Sequence, residues 1–86
     1  MASKSLTKDE LYLVKLLGLA ERQGDPYAEI DRYEVGQAMG QNDKSVDNIV
    51  RMLAQTNFIK KGEHKAVFLT PYGEKFVHTL IEQVKR

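Results

Sequence analysis

Apolar side chains recur at helical spacing in four separate stretches of the chain. Leu13, Leu16, Leu17 and Ala20 form the first stripe and predict a helix over 7–24. Thr7-Lys8-Asp9-Glu10 is a capping box at its start, with Leu6 and Leu11 at the two staple positions, and Gly24 is a stop. Asp25-Pro26 signals a turn, and a short strand is expected over 27–30. Asp31 then caps a helix over 32–39 with Val35, Ala38 and Met39 inward, closed by Gly40. Asn42 caps a third helix over 43–56, whose inward face is Val46, Ile49, Val50 and Leu53. Over 58–70 the pattern changes to two apolar-basic runs around Gly62, which predicts an antiparallel hairpin. A Gly62-Glu63 turn would set Lys60 opposite Lys65, an unfavourable like-charge pair, so the register stays open. Thr70-Pro71 ends the hairpin and starts a helix over 71–85, with Phe76, Val77, Leu80, Ile81 and Val84 as its stripe. The expected core is Leu13, Leu17, Val35, Ile49, Leu53, Leu69, Phe76 and Leu80, and residues 1–4 are expected to fray.

Length and composition narrow what such a chain does. With 86 residues, one domain with one small core is expected over 1–86. Without cysteine there is neither a disulfide framework nor a thiolate metal site, and the two histidines have no ligand-spaced partners, so no metal or cofactor is expected. No carboxylate pair or phosphate-cradling glycine loop points to catalysis, so the chain reads as a non-enzyme. No apolar run reaches the roughly 20 residues that cross a bilayer, and the N-terminus lacks the apolar segment of a signal peptide. A soluble cytoplasmic protein without membrane contact is expected.

Net charge is +1, but it is unevenly spread. Residues 1–40 carry five basic and seven acidic side chains, a balance of −2; residues 41–86 carry eight and five, a balance of +3. One basic face built from the second half is compatible with that asymmetry.

The order helix, short strand, helix, tight turn, helix, hairpin, helix resembles the winged helix-turn-helix over nearly the whole chain. Locally the chain resembles bacterial and archaeal regulators of the multiple-antibiotic-resistance repressor type (MarR-like). "DRYEVGQAMGQND" is similar to the first helix of that family's helix-turn-helix. "NDKSVDNIVRMLAQTNFIKK" is similar to its capped recognition helix and following strand, and "VFLTPYG" to its Leu-Thr-x-x-Gly after the wing. The resemblance implies an α+β, mainly α, winged-helix fold and sequence-specific binding of double-stranded DNA by a small transcriptional regulator. A winged helix serving as a protein-interaction module is the alternative, and an RNA partner stays open. The wing is short, and Asp47 near the middle of the presumed reading face departs from the family pattern.

If the third helix enters a major groove, Lys44, Ser45, Asp47, Asn48, Arg51 and Gln55 face the DNA. Asn48 suits adenine, Arg51 suits guanine, and Asp47 either accepts from a cytosine amino group or pairs with Arg51 four residues on. Lys60, Lys61, His64 and Lys65 at the wing suit phosphates, with Tyr33 and Tyr72 as further phosphate donors. Leu11, Tyr12, Val77, Ile81 and Val84 on the first and last helices are the expected homodimer surface. No small-molecule effector is identifiable.

Overall fold

A computed structural model of the protein describes residues 5–85, so the expected fraying of residues 1–4 lies outside the described residues. The elements in chain order are α1 (Lys8–Arg22), β1 (Ile30–Asp31), α2 (Arg32–Ala38), α3 (Asp43–Gln55), β2 (Ile59–Lys61), β3 (Ala66–Leu69) and α4 (Pro71–Lys85). The strands form one antiparallel sheet in the order β1-β3-β2.

Local chemistry sets the boundaries. At α1, the Glu10 amide donates to Thr7 Oγ1 (3.1 Å) and the Thr7 amide to Glu10 Oε1 (3.0 Å), a complete capping box. Asp31 and Asn42 cap α2 and α3 by accepting from the amides of Tyr33 (2.8 Å) and Ser45 (2.9 Å). Past α3, Asn57 takes a left-handed conformation (φ 66°), and the Phe58 amide donates back to the Leu53 carbonyl (3.1 Å).

The strand expected over 27–30 lies later, at Ile30–Asp31. Asp25 accounts for the shift. Its carboxylate accepts from the Tyr27 amide (2.9 Å) and its carbonyl from the Ala28 amide (3.0 Å), which makes this stretch a turn. Ile30 then pairs with Val67 and Asp31 with Ala66.

The hairpin avoids the Lys60–Lys65 confrontation by using a longer loop. Lys60 faces Phe68 and Lys61 faces Val67. The Gly62 amide donates to the Ala66 carbonyl (2.8 Å), closing a loop in which His64 is left-handed (φ 54°). Histidine is one of the residue types that tolerate this region.

Thr70 ties three elements together. Its amide donates to the Phe58 carbonyl (3.1 Å), its hydroxyl donates to the Asn57 carbonyl (2.6 Å), and the same oxygen accepts from the Gly73 amide (2.9 Å) as the α4 cap.

The core lies between the helices and the inner face of the sheet. Leu13, Leu17, Val35, Ile49, Leu53, Leu69 and Leu80 are buried as expected, and Leu16, Val46, Val50, Ile59 and Val67 join them. Phe76 is half-buried, because its ring stacks on Phe58 at the edge (centroids 4.6 Å apart). The expected dimer surface needs correcting. Tyr12 and Val77 are both 0% exposed: α1 and α4 pack against each other within one chain, and the Tyr12 side chain reaches the start of α2. The Tyr12 hydroxyl donates to the Arg32 carbonyl (2.9 Å). Leu11 and Ile81 are half-buried, and of the expected set Val84 alone is exposed. No helix among the described residues is long and apolar enough to cross a membrane.

Candidate nucleic-acid interface

One close approach and one tight turn position α3. Gly36, buried in α2, faces Val46 so closely that a Cβ there would lie 2.2 Å from Val46 Cγ2. The left-handed Gly40 (φ 76°) then turns the chain into α3 within a few residues. With Val46, Ile49, Val50 and Leu53 buried, α3 presents the opposite stripe to solvent. That stripe is Lys44, Asn48, Arg51 and Gln55, at i, i+4, i+7 and i+11, all exposed. Arg51 Nη2 donates to Asn48 Oδ1 (3.2 Å), so the two candidate base readers are already aligned side by side.

Ser45 does not join them. It is half-buried, its amide is used by the Asn42 cap, and its hydroxyl donates to Gln41 Oε1 (2.7 Å). The expected Asp47–Arg51 pair is not formed either. Asp47 turns instead towards the start of α2, where the Tyr33 hydroxyl donates to its Oδ1 (2.7 Å) and Arg32 Nη1 stands 3.8 Å from the same oxygen.

Tyr33 is the hinge pin of a seam between α3 and the wing. Lys65 Nζ lies over its ring, 5.4 Å from the centroid. The hydrogen bond to Asp47 is the largest influence holding the Tyr33 phenol above its usual pKa. Both its hydroxyl and one ring face are therefore engaged, and it is not the free phosphate donor expected from sequence. Arg32 was not legible as a site residue. Its amide and its Nε both donate to the Lys65 carbonyl (3.0 Å each), while its head group reaches Asp47. The β1–β3 pairing brings Arg32 to Lys65 and the packing of α2 on α3 brings it to Asp47, and no local motif announces either.

The wing lysines are spread rather than clustered. By strand alternation Lys60 shares a face with Phe68, while Lys61 takes the opposite one. Glu29 braces the tip, accepting from the Glu63 amide (3.3 Å) and lying against Gly62. His64 and Lys65 are exposed beside it. Tyr72 stands apart from this seam. It is 60% exposed and stacks on Phe58 (centroids 5.0 Å apart, planes 5° apart), next to an apolar groove of about 220 Å³ lined in part by Leu13, Met52 and Phe76. Among the described residues no group of acidic, histidine or cysteine side chains is arranged to hold a metal.

Three helices with a short α2–α3 turn, a three-stranded sheet carrying a hairpin wing, and a closing helix make this a winged-helix fold, α+β and mainly α. A crystal structure described as a "putative transcriptional regulator protein from Pseudomonas aeruginosa PA01" is similar to it, with a TM-score of 0.64 at 16% identity over 93% of this chain. The chain spans 56% of the length of that protein. No protein-family model and no curated protein matches the sequence.

Proposed function

We propose that this domain binds double-stranded DNA as part of a transcriptional regulator, with α3 in the major groove and the wing on the flanking backbone. The observation that carries the reading is the stripe Lys44, Asn48, Arg51 and Gln55 on α3, with wing residue Lys65 drawn to the same side through Tyr33. Asparagine and arginine suit the major-groove edges of adenine and guanine, and the lysines add phosphate contacts that do not read sequence. The similar fold of a protein described as a regulator supports the same role. Two copies on adjacent half-sites would supply the surface that one small module lacks.

Arg51→Ala and Asn48→Ala each relax base preference and cost about 1–3 kcal/mol at the preferred site. Charge reversal at Lys61, compared with reversal at exposed Lys75 on α4, separates docking from bulk electrostatics. The two change net charge equally, so salt-titrated gel shifts that weaken far more for Lys61→Glu support a docked wing. Equal small losses leave the wing lysines as edge charges that deter strand pairing.

A second reading, a protein-interaction module, is favoured by one surface. Met52 (50% exposed) borders the groove beside the Tyr72–Phe58–Phe76 stack, away from the seam. Absence of any shift with random duplex at low salt would make that reading the better one.

A further inference from the structure

Asp47 is an odd residue to find beside a DNA-reading stripe, because a carboxylate repels phosphate. Its side chain is 52% exposed. Both contacts it makes, from Tyr33 and Arg32, go to Oδ1. The second oxygen, Oδ2, makes no hydrogen bond or ion pair among the described residues. Arg32 offsets part of the carboxylate charge from the inner side, through Oδ1 alone. Its side chain is 15% exposed and held inward by the Lys65 carbonyl.

Resting on the DNA-binding reading, we propose that Asp47 is a specificity-determining residue that acts by exclusion, with Tyr33 and Arg32 as its positioning residues. A fixed carboxylate oxygen only accepts hydrogen bonds. In the major groove it finds a donor at the amino group of cytosine or adenine. Against the acceptor edges of guanine or the carbonyl of thymine it finds repulsion, and against a misplaced backbone the same. Specificity gained this way comes from penalising wrong duplexes rather than from strengthening the right one. The geometry explains why the sequence places Tyr33 where it does. The Tyr33 hydroxyl and Arg32 hold one carboxylate oxygen from the α2 side, whereas a pairing with Arg51 would have taken the arginine out of the reading stripe as well.

The test compares Asp47→Asn with Glu21→Gln, an equal change in charge at an exposed site on α1. Asparagine keeps an acceptor for the Tyr33 hydroxyl and removes the charge. Binding is measured by salt-titrated gel shift on randomised duplex DNA, and base preference by selection from the same pool. Asp47→Asn is expected to raise affinity for the random pool on the order of tenfold, while Glu21→Gln leaves it near the wild type. The wild type is expected to select cytosine at one position, a preference that Asp47→Asn loses, with adenine gaining there instead. Tyr33→Phe, lacking only the hydroxyl that orients Asp47, is expected to blur that same position. Should Asp47→Asn melt well below the wild type, Asp47→Ser carries the comparison. Equal behaviour of the two charge variants, or an unchanged selected position, overturns the inference while leaving DNA binding intact. A wild type that shifts no duplex at low salt overturns the DNA reading, and this inference with it.

Discussion

Gly73→Ala is expected to destabilise the domain by about 3 kcal/mol, against the sign that helix propensity gives. In an open helix the same change stabilises by about 1 kcal/mol. Gly73 is the buried third residue of α4, and a Cβ there would stand 2.0 Å from the Phe58 carbonyl oxygen and 2.9 Å from its carbon. These are backbone atoms, and Phe58 is pinned by the Thr70 amide on one side and the Leu53 carbonyl on the other. Nothing there swings away, so α4 must lift off the backbone at Phe58 and the Thr70 cap must open. For a domain of this size the melting temperature falls by about 4–8 °C per kcal/mol, a drop of roughly 10–25 °C in a circular-dichroism melt. Gly18→Ala supplies the contrast. Gly18 lies mid-way along α1 with nothing within 4 Å of its added methyl, and the substitution is expected to raise the melting temperature by several degrees. A rise for both variants would show that α4 does not approach the Phe58 backbone so closely.

Leu53→Ala is the second large effect, a loss of about 2–5 kcal/mol. Leu53 is 3% exposed and comes from the last full turn of α3, where it meets α1 and the start of the sheet. Its carbonyl also accepts the Phe58 amide that closes the helix. Truncation leaves a void beside Leu13 and enlarges the groove already present there. Chemical denaturation is expected to show a lower midpoint with an unchanged slope. An unchanged midpoint would mean that α3 is rotated about its axis from the phase described, and the exposed stripe with it.

Much of the fold was legible because its signals are local. Thr7 with Glu10, Asp31, Asn42 and Thr70-Pro71 each announce a helix start within four residues, and the periodic leucines and valines set the buried faces. The Tyr27–Ile30 strand failed for a local reason too, since Asp25 competes for the same amides. What was not legible depends on pairing at a distance. The register of the hairpin lies in the β2–β3 pairing, the contacts of Arg32 and Glu29 with the wing follow from β1 adding to β3, and Tyr33 meets Asp47 because α2 packs on α3. Asp47 and Arg51 have the spacing of a helical ion pair, yet each found a better neighbour: a hydroxyl on α2 and an amide at Asn48. The apolar count of α1 and α4 likewise suggested a second copy, when much of it is buried in the core of the single chain.

The chain has no tryptophan and four tyrosines, one of them, Tyr12, sealed in the interior. Burial, the dominant influence, drives its phenol well above the usual tyrosine pKa, so the folded state holds a proton that the unfolded chain releases near pH 10. The stabilisation is complete below that pH and is lost as pH rises towards the folded value, at about 1.4 kcal/mol per pH unit. Carboxylate hydrogen bonds, to Glu74 for Tyr27 and to Asp47 for Tyr33, act in the same direction. In an alkaline titration followed by phenolate absorbance, the last increment is therefore expected to appear together with the loss of helical circular dichroism. Tyr12 makes the protein its own optical gauge of unfolding, without any label.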